Sequence, residues 1–412
     1  MEKKLTRITS RKEADATIDG LKPVTEKINL LRNELRSGLV GRSREADIIT
    51  LALASGRNGV LIGDPGTAKS AMTLKIPELV EGNTFTLQLH KGTEDFEILG
   101  RFDPKELRDG RYVRITKGTI LEAGVAVLDE VFEGSSILLN ALRAALEERV
   151  YYDGGVPYKI NLHSVLGTSN IVPEDSNLAA FYDRFLFKGF VESIGSQGMA
   201  FQVMKAAEEN VWSPKRRQVI GMSELVHFKD SVALLKEWVM PLTTPEGEKS
   251  DLARQYLDIL GQVANNGVTI SDRSIASAQA AVATGALIAG KSRADEYDLQ
   301  VLEYILPHDK EDARIVASVL RQHLNPDRML PSEVVQLGNT LNMAISNMEA
   351  NVSNVSSEED ISLIRDGIKA LKRMGNLRGD ESARTAAREY AKIEERLKNN
   401  EAVTKLISNA ED

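Results

Sequence analysis

The segment that most constrains how this chain can fold runs from Gly63 to Ser70 and reads Gly-Asp-Pro-Gly-Thr-Ala-Lys-Ser. It follows Val60-Leu61-Ile62, an apolar run typical of a fully buried strand, and it precedes a helical pattern from Ala71 to Val80. A glycine-rich turn at the start of a helix presents backbone N–H groups and the positive end of the helix dipole to an anion. The pattern therefore predicts a phosphate-binding loop.

Every residue of this loop is a candidate for nucleotide binding: Gly63, Asp64, Pro65, Gly66, Thr67, Ala68, Lys69 and Ser70. Gly66 allows the backbone to approach the phosphates closely, and Lys69 can reach the β- and γ-phosphates. The Ser70 hydroxyl can bind Mg²⁺. Ala68 stands where the general pattern has its second glycine, and we expect its methyl group to be small enough to be tolerated.

A second apolar run, Val125 to Leu128, ends in the acidic pair Asp129 and Glu130. Asp129 would hold Mg²⁺, and Glu130 would orient and activate the attacking water as a general base. An apolar strand that ends in two carboxylates is common by itself. Together with a phosphate-binding loop it becomes specific for hydrolysis of a nucleotide.

A third buried run, Val165 to Thr168, leads to Asn170, which we expect to contact the γ-phosphate or the attacking water. Arg184 lies just before the last predicted strand, Phe187 to Val191. Arg184 either forms a surface ion pair with Asp183 or acts as an arginine finger on the nucleotide of a neighbouring subunit. In the second case its guanidinium could contribute ~10³-fold or more in rate.

The order of strand and helix patterns predicts four parts. Residues 1–38 form an N-terminal helical segment, and in residues 39–191 strands alternate with helices, which indicates an α/β core with a parallel sheet covered on both faces. The strand pattern stops near residue 192. Residues 192–310 and 311–412 are both helical in pattern, and the second of these segments is a candidate docking surface for a partner.

Composition excludes several other kinds of site. The chain has no cysteine, so disulfides, thiolate zinc sites and a cysteine nucleophile are excluded, and its five histidines lack metal-ligand spacing. The net charge of −8 gives no overall basic footprint for nucleic acid. No secretory signal is visible and no run approaches the roughly 18 apolar residues of a membrane helix. We therefore expect a cytoplasmic protein without a membrane segment.

The ordered set of these motifs resembles the MoxR group of AAA+ ATPases, and within it RavA-type proteins. Phe96 to Ala123 is similar to the group's insertion in the helix after the second strand, and Asn140 to Arg149 to the helix that follows the acidic pair. Tyr151 to Ile160, with its turn Asp153-Gly154-Gly155, resembles the group's β-hairpin. The implied fold is an α/β P-loop AAA+ core with a parallel sheet and a helix-2 insert, followed by an all-α lid and a helical C-terminal segment.

The resemblance also implies roles, cofactors and partners. Ile270 to Ser274 is similar to the sensor 2 motif of the lid, which implies that Arg273 contacts a γ-phosphate in its own subunit or a neighbour's. Val40 and Gly41, where a helical pattern breaks, join the candidates for nucleotide binding. The implied cofactors are ATP and Mg²⁺. The implied partners are further copies in a homo-hexameric ring, a von Willebrand factor A-domain protein, and a protein client whose remodelling or chaperone-like maturation uses hydrolysis.

Two other functions remain open on the sequence. Helicases of the MCM group share the insertion and the hairpin, so a nucleic-acid motor is one alternative. The acidic net charge argues against it, as does a hairpin whose charged residues are only Asp153 and Lys159. The other alternative is a scaffold that binds ATP to assemble but turns over little. The intact pair Asp129 and Glu130 argues against that function.

Overall fold

The computed structural model describes residues 8–153, 156–173, 176–193, 203–204, 216–324, 331–350 and 381–398, together with residue 400 and several positions between 361 and 372. The chain divides into two compact units, Met1–Leu320 and Arg321–Asp412. The junction lies after residue 311, where the sequence pattern placed the start of the last segment. The other boundaries proposed from the sequence stay predictions.

The first unit is built on a parallel sheet of five strands in the order β3-β4-β7-β1-β8. The described strands are β1 (Gly59–Gly63), β2 (Val80–Glu81), β3 (Thr84–Gln88), β4 (Val125–Asp129), β5 (Val150–Asp153), β6 (Val156–Lys159), β7 (Ser164–Ser169), β8 (Phe187–Val191) and β9 (Ile220–Gly221). Because parallel strands all point the same way, the carboxyl ends of the five lie along one edge of the sheet. This confirms the predicted α/β fold.

Burial explains why the central strands read as continuous apolar runs. Every residue of β1 and β7 is buried, and so are the first four residues of β4. Strands buried on both faces carry no polar alternation. On one side of the sheet, Phe132 makes edge-to-face contacts with Phe181, Tyr182 and Phe185 in the main core.

Helices flank this sheet within the first unit, and helices make up most of the described residues of the second unit. They are α1 (Arg11–Arg36), α2 (Ser43–Ser55), α3 (Lys69–Thr73), α4 (Ile76–Leu79), α5 (Asp95–Leu99), α6 (Pro104–Arg108), α7 (Ser136–Glu147), α8 (Ser176–Tyr182), α9 (Met222–Val239), α10 (Asp251–Asn265), α11 (Asp272–Ile288), α12 (Lys310–His323), α13 (Pro331–Ala350) and α14 (Glu381–Lys398), with a 3₁₀ helix at Glu296–Tyr304. Serine side chains cap several of them: Ser10, Ser135, Ser250 and Ser271 each accept a hydrogen bond from the first turn.

Two sequence predictions about local structure are wrong. The helix expected over Ala71 to Val80 is two short helices, α3 and α4, and Val80 already belongs to β2. Pro77 lies in the first turn of α4, where its missing N–H costs no hydrogen bond, whereas it would interrupt a continuous helix. Strands also continue past residue 192, because β9 pairs in parallel with β2.

The segment between β3 and β4 and the hairpin after α7 are both formed as the sequence predicts. The insert contains α5, α6 and a bridge between Phe102 and Arg114, and the Arg114 guanidinium lies 4.3 Å from the Phe102 ring centroid. Strands β5 and β6 pair antiparallel, with Asp153 opposite Val156. The turn residues Gly154 and Gly155 lie outside the described residues.

The second unit has a small core of its own. Val334, Leu341 and Ile345 of α13 are buried, as are Ile364 and Leu371. This agrees with the predicted helical spacing of apolar residues. The linker expected at Asn351 to Ser357 falls outside the described residues. None of the described helices is both long and apolar enough to cross a membrane.

Candidate active site

The phosphate-binding loop connects the carboxyl end of β1 to α3, which begins at Lys69. The Lys69 side chain is buried and its ammonium group donates to the loop carbonyls of Gly63 (2.7 Å) and Asp64 (2.8 Å). It also donates to the Asn170 side-chain oxygen at 3.1 Å. Burial lowers the pKa of Lys69, with the acidic groups nearby acting against this shift. The loop's own carbonyls and Asn170 thus hold the ammonium inside the loop, at the carboxyl ends of β1 and β7.

Two residues of the loop have a left-handed backbone. Gly66 has φ 78°, and a methyl group added there would meet no other atom within 4 Å. Ala68 has φ 64° and ψ 18°. An L-residue in this region is less stable by roughly 1–2 kcal/mol than in the right-handed helical region. The Ala68 methyl group is therefore accommodated, but at the expense of backbone strain that glycine would not have.

A hydroxyl and a carboxylate lie together beside the loop. The Ser70 hydroxyl donates to the Asp129 carboxylate at 2.9 Å, and the Thr168 hydroxyl donates to the same oxygen. Mg²⁺ is usually bound through one or two carboxylates, waters and substrate phosphates, so this donor set fits it. Within the described residues, no group of three or more His, Asp or Glu side chains could hold a metal ion. The Ser70 hydroxyl and the Asp129 carboxylate, which meet beside the loop, could hold Mg²⁺ together with waters and phosphate oxygens.

Asn170 connects the loop to the second acidic residue. Its side-chain N–H₂ donates to the Glu130 carboxylate, while its side-chain oxygen accepts from Lys69. Burial raises the pKa of Glu130, and the charge of Asp129 adds to this shift. Glu130 has a left-handed backbone, φ 50°, at the end of β4. The structure thus brings Lys69, Asn170 and Glu130 together, as the strand-end pattern predicts.

The turn at Val40 and Gly41 lies between α1 and α2, and Gly41 has φ 69°. The next residue, Arg42, is buried and donates to the carbonyl of Glu192, just past the carboxyl end of β8, at 3.0 Å. The charge of Arg42 contributes to lowering the pKa of Lys69. This turn therefore lies on the same side of the sheet as the loop.

Sequence reasoning missed Arg42 and Thr168. Thr168 becomes identifiable only once β4 and β7 are known to be neighbours, in a register that pairs Leu128 with Gly167. Arg42 follows a turn glycine, and nothing in the local sequence indicates which strand end it reaches. Both residues can be identified as part of the site only from their neighbours in the tertiary structure.

The two remaining site candidates lie at the opposite edge of the sheet. Arg184 precedes β8, and its guanidinium forms an ion pair with Glu147 at 2.8 Å. Arg273, in the first turn of α11, pairs with the other oxygen of Glu147 and with Asp183 at 3.3 Å. Asp183 lies 3.8 Å from Arg184, so the surface ion pair considered for Arg184 is present, though longer than the one with Glu147.

The length of β1 separates these arginines from the loop. Asn58, directly before the start of β1, donates to the backbone carbonyl of Arg184 at 2.9 Å, so Arg184 lies at the amino end of this strand. The phosphate-binding loop begins at Gly63, at the carboxyl end of the same strand. Five residues of parallel strand span about 16 Å at ~3.3 Å each. Within one chain the structure thus places Arg184 and Arg273 with each other, and not with Lys69 and Glu130.

Comparison with known proteins gives one matching family model and several relatives. Residues 26–259 match a family model described as the MoxR domain in the MoxR-vWA-beta-propeller ternary systems. Two uncharacterised proteins of Methanocaldococcus jannaschii are similar to this chain. One is 32% identical over 72% of this chain and 74% of its own length. The other is 33% identical over 68% of this chain and 72% of its own length.

Two more distant likenesses extend the comparison. A structural protein of Acidianus two-tailed virus is 26% identical over 73% of this chain and 53% of its own length. Among solved structures, a candidate ATPase from Cytophaga hutchinsonii superposes with a TM-score of 0.57 at 16% identity, covering 75% of this chain and 97% of that one. At this identity the likeness supports the fold alone.

Proposed function

This chain belongs to the MoxR group of AAA+ ATPases, and we propose that it hydrolyses ATP with Mg²⁺ at a site that a second copy of the chain completes. The observation that carries the proposal is the division of the site between the two edges of one sheet. We call Lys69, Ser70, Asp129, Glu130 and Asn170 the nucleotide half-site. We call Arg184 and Arg273 the arginine half-site.

The nucleotide half-site supplies binding and a base. ATP with Mg²⁺ would supply the phosphoanhydride bond and the metal charge that offsets the phosphates. Lys69 would exchange its contacts with the loop carbonyls for phosphate oxygens, and Ser70 and Asp129 would hold Mg²⁺. Loop N–H groups at the start of α3 add partial positive charge.

Glu130 is the group that would accept a proton from the attacking water. A carboxylate is a better base when its pKa is raised towards the working pH, and burial raises the pKa of Glu130. The hydrogen bond from Asn170 fixes the direction of the carboxylate. Asn170 would thereby position the base relative to Lys69.

The arginine half-site would act on the nucleotide of a neighbour. Arg184 and Arg273 both form ion pairs with Glu147 at the amino ends of the strands. This shared position favours a role for both arginines at the nucleotide of the same neighbouring chain. A contact that joins one edge to the opposite edge of the next copy is head-to-tail, and such contacts form a ring when the rotation between copies closes and an open filament when it does not. We propose a homo-hexameric ring, which the family likeness supports.

The proposal is tested by measuring the ATPase rate at increasing protein concentration. The proteins compared are the wild type and the variants Lys69→Ala, Glu130→Gln and Arg184→Ala. We expect a wild-type rate per chain that rises with concentration. Lys69→Ala should lose ATP binding, and Glu130→Gln should bind ATP without turnover. Arg184→Ala should bind ATP normally and turn over ~10³-fold more slowly, because the transition-state charge lacks its guanidinium.

Mixing two inactive variants gives the sharper result. Glu130→Gln keeps its arginines and Arg184→Ala keeps its base, so a mixed interface contains one complete site. We expect mixtures to regain activity, whereas a mixture no more active than its components would contradict a shared site. Lys69→Ala with Glu130→Gln is the matched control, because neither chain of that pair can both bind ATP and activate water.

The family model's description supports a partner with a von Willebrand factor A domain, and we propose that hydrolysis drives remodelling or chaperone-like maturation of a protein client. Recovery of an A-domain protein with a tagged chain, in an ATP-dependent manner, tests the partner. ATPase activity that DNA stimulates, with a steep dependence on salt, would instead favour the nucleic-acid motor.

A further inference from the structure

A cavity of about 360 Å³ lies at the arginine half-site. Its walls are the residues that precede β1, β7 and β8, the end of α7, and side chains of α9 and α11. Cations dominate its lining: Arg57, Arg149, Arg184, Lys229 and Arg273. Among the described residues that line the cavity, Glu147 is the one carboxylate, so these lining residues carry a net positive charge.

Most of these cations already have partners. Arg149 donates to the carbonyls of Leu146, Gly56 and His163 and to the Asn58 side chain. Lys229 lies 3.3 Å from the Asp230 carboxylate. Arg184 and Arg273 share Glu147. Burial lowers the pKa of His163, another lining residue, to about 4, so it adds no charge near neutral pH.

Arg57 differs from the other four cations. Across the described residues, its guanidinium has no hydrogen bond and no ion pair, although its backbone carbonyl accepts from Ser164. Although Arg57 is exposed, the protein atoms around its guanidinium desolvate it in part and lower its pKa, and the like charge of Arg273 adds to this shift. Arg57 is exposed on the cavity wall beside the other cations, so an anion that enters the cavity could bind it without first displacing a carboxylate.

The geometry points to Arg57 as a third phosphate-binding residue of the arginine half-site, whose ligand is the terminal phosphate of ATP held by the neighbouring chain. A planar guanidinium is well suited to phosphate because it can donate two parallel hydrogen bonds. The cavity is near the lower end of the usual range for ligand pockets, roughly 300–1,000 Å³, which suits a phosphate chain. This inference rests on the proposed function.

The three arginines differ in their ion-pair partners, and this difference implies that they have different roles. Arg184 and Arg273 must loosen their contacts with Glu147 before they bind a phosphate, whereas Arg57 has no carboxylate to release. Arg57 should therefore act in capturing the neighbour's nucleotide, and Arg184 in stabilising the transition state. Loss of Arg57 should raise the protein concentration needed for half-maximal activity more than it lowers the maximal rate.

Sedimentation velocity of the full chain with ATP and Mg²⁺ measures assembly and tests the role of Arg57 without turnover. All variants carry Glu130→Gln, so that bound ATP is not hydrolysed during the measurement. Adding Arg57→Ala should raise the concentration for half assembly at least tenfold, and Arg57→Lys should recover part of the loss. Lys229→Ala is the control, because Lys229 lines the same cavity but is already paired. Equal losses for Lys229→Ala and Arg57→Ala would show a general charge effect and overturn the assignment.

The remaining outcomes separate this inference from the proposed function. If Arg57→Ala assembles normally while Arg184→Ala still abolishes hydrolysis, Arg57 is not a ligand and the shared site stands. If Arg184→Ala is also fully active, the shared site itself fails. Titration of unassembled Lys69→Ala with tripolyphosphate tests the source of the anion. We expect no tight binding, and tight binding that Arg57→Ala removes would show a site for a free anion instead.

Discussion

Ala68 combines a permitted side chain with a backbone conformation that favours glycine. Its φ of 64° costs roughly 1–2 kcal/mol, while the extra freedom of an unfolded glycine removes about 0.4–1 kcal/mol of any gain. We expect Ala68→Gly to raise the free energy of unfolding by about 0.5–1 kcal/mol, measured by urea denaturation without nucleotide. Gly66→Ala is the matched control: it has room for a methyl group but φ 78°, so it should lose stability. A destabilised Ala68→Gly would contradict the strain.

Lys188 is a buried cation in β8, and burial lowers its pKa to about 8. Its ammonium lies 5.2 Å from the Tyr182 ring centroid, with the charges of Asp183 and Asp312 opposing the shift and that of Arg273 adding to it. Between pH 8 and 10.5 the unfolded chain holds the proton more tightly than the folded chain. Stability should therefore rise with pH across that window.

The shift in Lys188 corresponds to about 3 kcal/mol of stability that is missing at pH 7 and regained by pH 10.5. Lys188→Met should be more stable than the wild type at pH 7, and the difference should shrink as the pH rises. Urea denaturation at several pH values measures it. A difference between the two proteins that is the same at pH 7 and pH 10 would show that Lys188 stays protonated in the fold.

Which site residues the sequence could predict depends on how local their signal is. Lys69, Asp129 and Asn170 each follow a buried apolar run, so strand ends alone predict that they meet at one edge. Arg57 carries no such signal. Its importance comes from the cations of two distant helices that pack near it, and only tertiary structure shows these.

Asn58 ties four elements together just before β1. Its side-chain N–H₂ donates to the carbonyls of Leu146 and Arg184, and its side-chain oxygen accepts from Arg149 and from the backbone N–H of Val165. These bonds join the start of β1 to the end of α7, to β7 and to the segment before β8. The position of the arginine half-site depends on this connection.

Asn58→Ala should lower the free energy of unfolding by about 3 kcal/mol, because several buried polar groups lose their partner at once. It should also lower ATPase activity at temperatures where the variant is folded, since Arg184 loses an anchor for its backbone. Thermal and urea denaturation measure the first effect. Asn83→Ala is the control, since exposed Asn83 makes one side-chain hydrogen bond, at 3.4 Å, and a loss equal to that of Asn83→Ala would contradict the role of Asn58.

Elements were predictable where a periodic pattern is long or fully apolar. The buried strands β1, β4 and β7 meet that condition, whereas the prediction of the hairpin depends on its turn residues and on the family resemblance. The pair β2 and β9 does not meet it, because two residues form each strand and the pairing joins segments far apart in the chain. The break between α3 and α4 was foreseeable from Pro77, since proline favours the start of a helix over its interior.

All residues of both half-sites lie in the unit Met1–Leu320, and the second unit has a separate apolar core. We therefore expect a chain that ends at Leu324, with α12 complete, to bind a fluorescent ATP analogue within about twofold of the full chain. Lys69→Ala in the shortened chain is the control for specific binding. A loss of tenfold or more would show that the second unit contributes to the nucleotide site.

Because the two half-sites lie at opposite ends of β1, the number of complete sites in an assembly depends on whether the assembly is open or closed. An open row of chains always has one complete site fewer than it has members, since the first and last members each keep an unmatched half. Closure into a circle removes both loose ends at once and makes the number of working sites equal to the number of chains. Catalytic output would then report on the completeness of the circle, and one missing member would silence a site that belongs to its neighbour.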